Sequence, residues 1–109
     1  MGNSIRPAVP EPLLRRVVEV WHPEEVRVFG SRARGEEVRE DSDWDLCVIV
    51  PDDTPRGLLD PVAVRRAIRD LGLPVDLIPV TRGEFDEGRQ HFDTLAEIVD
   101  REGVVVYAA

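Results

Sequence analysis

The 109-residue chain has no lysine, one cysteine and two histidines. The lone cysteine, Cys47, lies in an apolar run, which favours a buried structural thiol over a redox or nucleophilic one. Neither His22 nor His91 has a second histidine at metal-ligand spacing, so a zinc site is not expected. No apolar run reaches the ~20 residues that span a bilayer, and no signal peptide opens the chain. The default expectation is therefore a cytoplasmic protein without a membrane partner.

Positive charge is also scarce, because 14 arginines face 22 acidic residues and the net charge is -8. Proteins that grip nucleic acid through its phosphates need a basic face, so direct nucleic-acid binding is not expected. Residues 36–53 carry eight acids and one base. A nucleoside triphosphate would be repelled there unless divalent cations reversed the local field. Any nucleotide chemistry in this stretch must therefore depend on metal ions.

A chain of this length has room for one domain with one modest core. Its 42% hydrophobic content is typical of a globular protein. Residues 1–10 contain two prolines and little apolar periodicity, which predicts a flexible N-terminal arm. Residues 11–109 are then predicted to form the single domain.

The stretch WDLCVIV at residues 44–50 predicts a strand with apolar side chains on both faces, as in the middle of a covered sheet. Asp45 lies within this strand, and Asp43 lies two residues earlier on the same face. Their Cα atoms would be roughly 6.6 Å apart, at ~3.3 Å per residue. Two carboxylates at that spacing can share one divalent ion or bridge a pair of ions. The pattern indicates metal-held phosphate.

The turn before this strand carries candidate phosphate ligands. Residues 25–29 predict a short strand, and Gly30 and Ser31 follow where the chain turns into a short helix. Glycine lets the backbone approach a ligand closely, and free N–H groups at a helix start favour an anion. Ser31 adds a hydroxyl, and Arg32 and Arg34 add guanidinium groups that suit phosphate oxygens.

The remaining elements follow from periodicity and from start and stop signals. Asp60 is expected to cap a helix that begins with Pro61 and ends at Gly72. Thr81 and Glu84 predict a capping box. The predicted elements are helix 11–22, strand 25–29, helix 31–34, strand 44–50, the helix between Asp60 and Gly72, strand 73–80, a helix from the capping box to residue 102 with Phe92, Leu95, Ala96 and Val99 inward, and strand 104–107. Together they indicate an α/β (α+β) fold with a mixed sheet of about four strands covered by helices.

The predicted strand at residues 73–80 holds Asp76 in an otherwise apolar run, just as Asp45 interrupts the strand at residues 44–50. If these two strands are neighbours, they lie ~4.8 Å apart. Asp76 can then reach an ion held by Asp43 and Asp45.

Two segments, one on each side of the acidic loop, resemble the signature of the polymerase-β-like nucleotidyltransferases, in particular the small stand-alone minimal nucleotidyltransferases. They are GSRARG at residues 30–35 and SDWDL at residues 42–46. The likeness extends from about Leu13 to Tyr107. Six residues separate the two segments, one more than the usual spacing in that family.

The resemblance implies the polymerase-β-like nucleotidyltransferase fold and a set of site residues. The implied ligands of the β and γ phosphates are Gly30, Ser31 and Arg34. The implied metal ligands and catalytic residues are Asp43, Asp45 and Asp76, with two Mg²⁺ ions. Within this set, the third carboxylate helps to deprotonate the acceptor hydroxyl.

The implied activity is transfer of a nucleotidyl group, AMP from ATP or from another nucleoside triphosphate, to a hydroxyl with loss of pyrophosphate. Minimal nucleotidyltransferases pair with HEPN-domain toxins, so the implied acceptor is a tyrosine of a cognate toxin and this chain would be the antitoxin. Two alternatives stay open: a non-catalytic antitoxin that neutralises its partner by binding, and a small-molecule nucleotidyltransferase of the antibiotic type. The second alternative is disfavoured, because larger relatives present the acceptor on a second domain and a chain of this length is expected to form only one. The oligomeric state is also open.

Overall fold

A computed structural model of the chain describes residues 7–34 and 43–109. Within them lie four strands: β1 (Glu25–Phe29), β2 (Trp44–Val50), β3 (Val75–Thr81) and β4 (Val104–Ala108). They form one sheet in the order β3-β2-β1-β4. β2 runs parallel to β3, whereas β1 runs antiparallel to both β2 and β4. The predicted mixed sheet of about four strands is confirmed.

Helices cover both faces of this sheet, as predicted. The described residues form α1 (Glu11–Trp21), α2 (Ser31–Arg34), α3 (Pro61–Ile68), α4 (Arg82–Gly88) and α5 (Leu95–Glu102), with short 3-10 helices at Arg56–Leu58 and Arg69–Leu71. α1 and α3 pack on one face of the sheet, and α4 and α5 pack on the other. In the part of the chain that the structure describes, none of these helices is long and apolar enough to cross a membrane.

β2 lies inside the sheet and is buried on both faces, as its composition predicted. Trp44, Leu46 and the later residues in the same alternation join the core beneath α1 and α3. Cys47 and Ile49 join the core beneath α4 and α5. The side chain of Cys47 is fully buried, so its predicted place in the core is confirmed. Two apolar faces on one strand therefore anchor the carboxylate at its start.

The helix ends combine confirmed and incorrect predictions. The capping box forms as expected, because Thr81 accepts a hydrogen bond from the Glu84 N–H at 3.2 Å and the Thr81 N–H donates to Glu84 Oε1 at 3.2 Å. Asp60 does occupy the N-cap position of α3, but its side chain makes no capping hydrogen bond. Pro61 fills the first helical position, where its missing N–H is tolerated. Gly72 ends the following turn with φ +66°.

The prediction of one continuous helix up to residue 102 is wrong. α4 and α5 are separate helices, and Asp93 between them has φ +71°. Thr94 caps the second helix by accepting a hydrogen bond from the Glu97 N–H at 3.1 Å. Its hydroxyl also donates to the Gly88 carbonyl at 2.7 Å, which ties the two helices together.

The helix break changes which side chains face the core. Phe92 was predicted to point inward, yet it lies between the helices and is 82% exposed. Val99 is fully buried, as predicted, and Leu95 and Ala96 pack beside it. The inward stripe therefore belongs to α5 alone.

Candidate active site

The candidate site lies at the end of the sheet where β2 and β3 begin and β1 ends. Asp45 of β2 is paired in register with Asp76 of β3. On its other side Asp45 is paired with Phe29, the last residue of β1. The backbone is tied just before this point, because the Trp44 N–H donates to the Pro74 carbonyl at 2.8 Å. The pairing of β2 with β3 meets the condition under which Asp76 was expected to reach an ion held by Asp43 and Asp45.

Asp45 and Asp76 point to the same face of the sheet, because residues paired directly across two strands lie side by side. This is the face that carries Cys47 and Ile49 beneath α4 and α5. Asp45 is half-buried, whereas Asp76 on the edge strand is exposed. At ~4.8 Å between strands, the two carboxylates are close neighbours.

Asp43 is exposed and lies one residue before β2 begins. Across residues 7–34 and 43–109, no three histidine, cysteine, aspartate or glutamate side chains come close enough together to hold a metal ion. Asp43, Asp45 and Asp76 thus occupy one end of the sheet without forming a preassembled three-ligand group. The loop spacing between Gly35 and Ser42 lies outside the described residues.

The charge on Asp45 is disfavoured in this setting. Burial raises the pKa of its carboxyl, and the neighbouring charges of Asp76 and Asp43 raise it further, while Arg34 acts in the opposite direction. Packing carboxylates together at a partly dehydrated position costs free energy unless a cation is bound there. The electrostatics of this sheet end therefore favour a positively charged ligand.

Gly30 follows β1 directly and has φ +76°, a conformation that side chains rarely adopt. A Cβ at this position would collide with Oδ2 of Asp45 and lie 3.2 Å from its Cγ. The sequence indicated that glycine was needed for close approach of a ligand. In the structure, the group that approaches Gly30 closely is the Asp45 carboxylate.

α2 starts at Ser31, which is half-buried, and the N–H groups of Ala33 and Arg34 both donate to the Gly30 carbonyl at 3.1 Å. The turn predicted after β1 is thus a single helical turn that begins beside Asp45. It brings the Ser31 hydroxyl to the same end of the sheet as the carboxylates.

The two arginines of α2 have different surroundings. Arg34 acts electrostatically on Asp45 and forms an ion pair with Glu102 at 3.5 Å. The Arg32 guanidinium instead stacks over the Trp44 ring, 4.0 Å from its centroid. Because Trp44 faces the opposite side of the sheet from Asp45, Arg34 is the arginine on the carboxylate side.

Glu102 is a site neighbour that sequence reasoning missed. It lies at the end of α5, where it binds Arg34 and also Arg101, the latter at 2.8 Å. Nothing in the sequence links residues 34 and 102, because only the docking of α5 on the sheet brings them together.

Known proteins share the fold of this chain. The family described as "Nucleotidyltransferase domain" matches residues 11–102. A toxin-antitoxin crystal structure with AMP-PNP is similar over 93% of this chain and 75% of its own, with 20% identity and a TM-score of 0.57. A putative nucleotidyltransferase from Sulfolobus solfataricus is similar over 89% of this chain and 75% of its own, with 21% identity and a TM-score of 0.56.

A mutant of the toxin-antitoxin pair MntA-HpeT is similar over 93% of this chain and 75% of its own, with 17% identity and a TM-score of 0.54. At these identities the structural likeness establishes the fold. No curated protein matches the chain.

Proposed function

The chain belongs to the nucleotidyltransferase domain family, and on this premise we propose that it transfers AMP from ATP to a hydroxyl group of a partner protein. The observation that carries the proposal is the pairing of Asp45 with Asp76 on adjacent strands. The Gly30–Ser31 turn lies at the same end of the sheet, because it follows the β1 residue that pairs with Asp45. The proposed phosphate donors therefore lie next to the carboxylates.

The oxygen chemistry of the three carboxylates and their position at one end of the sheet both suit divalent cations. All three candidate ligands are hard oxygen donors, which favour Mg²⁺ over zinc. The raised pKa of Asp45 supports the binding of a cation at this end of the sheet. Asp43, Asp45 and Asp76 would hold the two Mg²⁺ ions, which neutralise the triphosphate and the charge that develops during transfer.

The chain's own residues would position and activate the reactants. The Ser31 hydroxyl and the backbone N–H groups after Gly30 would donate to the β and γ phosphates, with Arg34 as a further donor. The acceptor oxygen would attack the α-phosphorus while the bond to the β-phosphate oxygen breaks, and pyrophosphate leaves. Asp76, exposed at the sheet edge, would take the proton from the acceptor hydroxyl.

The partner is proposed to be a toxin of the HEPN class, with a tyrosine as acceptor, so that the chain acts as an antitoxin. Two of the structurally similar proteins are toxin-antitoxin complexes, one of them with AMP-PNP. A second candidate is an antitoxin that acts by binding alone. The net charge of -8 would suit the capping of a basic toxin, but the three carboxylates at one end of the sheet disfavour this candidate, because a binding module has no need to hold charges there.

Isothermal titration of ATP separates the two candidates. The wild type and the Asp43→Asn/Asp45→Asn variant are titrated with and without Mg²⁺, and Asp53→Asn/Asp60→Asn serves as a control with the same charge change. Both control residues are exposed and lie beyond the opposite end of β2. Binding that needs Mg²⁺ and the site aspartates supports catalysis. Equal binding by the site variant, or none by the wild type, contradicts it.

A second experiment tests transfer itself. The chain and its cognate toxin are incubated with α-labelled ATP and Mg²⁺, and the label on each protein is measured. Label on the toxin supports the proposed reaction. A toxin variant in which phenylalanine replaces the acceptor tyrosine should not be labelled. A toxin that is neutralised without any label would favour the binding-only antitoxin.

A further inference from the structure

A groove lies between α3 and the edge strand β3, with a volume of about 350 Å³. Its floor is apolar and includes Val64 and Leu77, which belong to the core. Its helix side carries Arg65 and Arg69, and its strand side carries Asp76. We refer to this feature as the arginine groove.

The arginine groove continues along the outer side of α3. A second cavity, of about 310 Å³, shares Pro61, Arg65 and Arg69 with the first and adds Val62 and Arg66. The side chain of Val62 is 57% exposed and adds apolar surface to this second cavity. Together the two cavities form an extended surface with apolar contacts and a row of guanidinium groups.

Within residues 7–34 and 43–109, no acidic side chain forms an ion pair with these guanidinium groups. The guanidinium groups of Arg65, Arg66 and Arg69 form no hydrogen bond or ion pair with the residues that the structure describes, and only Arg69 acts electrostatically on a neighbouring acid, Asp70. The neighbouring acid, Asp70, is bound to Arg16 at 2.7 Å. On a chain with a net charge of -8, a cluster of unpaired arginines is a local reversal of sign. Such a cluster suits an acidic partner.

The arginine groove also adjoins the candidate chemistry. β3 has a neighbouring strand on one side only in the described sheet, so Asp76 lies at an open edge. Asp76 lines the groove and is paired with Asp45 across the strands. The Asp76 side chain lies on the face of the sheet opposite to α3, so a chain segment bound in the groove would reach this carboxylate by crossing the open edge of β3.

We propose that the arginine groove docks the acceptor protein through an acidic segment that carries the acceptor hydroxyl. Carboxylates of that segment pair with Arg65 and Arg69, and apolar side chains fill the floor. From the groove the segment crosses the open edge of β3 and brings its hydroxyl to Asp76, a step that rests on the proposed function. A nucleic-acid strand fits less well, because its phosphates make no use of the apolar floor and the net charge of -8 opposes it.

Binding is tested with a fluorescein-labelled random copolymer of glutamate and tyrosine, which supplies both acidic groups and hydroxyls. Fluorescence anisotropy should show binding to the wild-type chain and at least about tenfold weaker binding to the Arg65→Glu/Arg69→Glu variant. The milder Arg65→Gln/Arg69→Gln variant should lie between the two. A copolymer of lysine and tyrosine should not bind in the groove.

The matched control is Arg15→Glu/Arg56→Glu, which makes the same charge change at exposed arginines outside the groove. It should bind the acidic copolymer nearly as well as the wild type. The proposal is overturned if the wild type does not bind, or if the control loses as much affinity as the groove variant. Tighter, groove-dependent binding of labelled single-stranded RNA would also overturn it, in favour of a nucleic-acid site.

The same variants separate this proposal from the proposed activity. Titration of ATP with Mg²⁺ should give wild-type binding in the Arg65→Glu/Arg69→Glu variant. If the wild type binds the copolymer through the groove but binds no ATP, the docking surface stands and the activity fails. If the groove variant instead loses ATP binding, the groove is a nucleotide site and the docking proposal fails.

Discussion

Gly30 and Asp45 lie so close together that no side chain at residue 30 could coexist with the Asp45 carboxylate as it is placed. The residues belong to adjacent strand ends, since Phe29 before Gly30 pairs with Asp45 itself. Two separate features require glycine at residue 30: its φ of +76°, and the Asp45 carboxylate in the space that a Cβ would occupy. Its most direct role is to make room for Asp45.

Three glycine-to-alanine variants should separate these two features. Gly57→Ala has an ordinary backbone and open space, so it should be neutral or stabilise by up to about 1 kcal/mol. Gly72→Ala has φ +66° but open space, and it should destabilise by about 1–2 kcal/mol. Gly30→Ala should lose more than Gly72→Ala, because it must also displace the Asp45 carboxylate. Urea denaturation measures all three.

Nucleotide binding provides the second measurement on these variants. We expect Mg²⁺-dependent ATP binding to be weakened by Gly30→Ala alone. Equal losses of stability at residues 30 and 72, with ATP binding intact in both, would show that the close approach to Asp45 has no consequence.

Asp45→Asn should stabilise the metal-free protein and should lower its transfer activity. Burial and the neighbouring carboxylates disfavour the charge on Asp45, so the neutral amide should raise the melting temperature of the metal-free protein. Transfer should fall by at least about 100-fold, because a metal ligand is worth several kcal/mol in the transition state. Stabilisation by Mg²⁺ and ATP together should also disappear. Thermal melts and label transfer measure these changes.

Asp53→Asn is the control for this prediction, because Asp53 is exposed in the loop beyond the other end of β2. It should change neither the melting temperature nor the transfer rate appreciably. A lower melting temperature for Asp45→Asn without metal would mean that the Asp45 charge has a stabilising partner in the folded chain.

The helix caps make a second matched comparison. Thr81→Ala and Thr94→Ala each remove a hydroxyl that accepts a hydrogen bond from a backbone N–H, and each should cost about 1 kcal/mol. That loss corresponds to a melting temperature lower by about 4–8 °C. Asp60→Ala should stay within about 0.5 kcal/mol of the wild type, because Asp60 makes no capping hydrogen bond. An equally costly Asp60→Ala would show that its cap forms in solution.

Cys47 should make the protein sensitive to alkaline pH. Burial raises the pKa of this thiol to about 12, compared with an ordinary value of 9.0. Because the unfolded chain releases the proton first, the stability contributed by the buried thiol is present below pH 9 and falls as the pH rises from about 9 towards 12. The free energy of unfolding, measured by urea titration across this range, should fall less steeply in Cys47→Ala.

Alkylation provides an independent check on Cys47. Iodoacetamide at mildly alkaline pH should modify the thiol slowly in the native protein and rapidly in urea, since the thiolate is the reacting species. Rapid modification of the native protein would contradict the burial of this side chain.

Much of the architecture followed from local sequence patterns. The observed β1 and β2 coincide with the predicted strands at residues 25–29 and 44–50. The alternation of β2 correctly separated the core residues of its two faces. Such patterns succeed because strand side chains alternate by geometry and because a strand with two apolar faces is stable only inside a covered sheet.

The main error, the single helix up to residue 102, came from following apolar periodicity past a cap. Thr94 and Glu97 have the same spacing as the capping pair Thr81 and Glu84. This local signal, which the prediction overlooked, marks the observed start of α5. Periodicity alone could not show it, because Phe92 falls in phase with Leu95 and Val99 although it is exposed.

The sequence by itself determined the strands and most of the helices, the position of the carboxylates at strand starts and the need for a flexible residue after β1. These features depend on local backbone preference and side-chain alternation. Only the tertiary structure decided that Asp45 lies beside Asp76, that the Asp45 carboxylate abuts Gly30, and that Arg34 meets Glu102. Such contacts join residues far apart in the chain, and strand order, register and helix docking, which no local pattern specifies, bring them together.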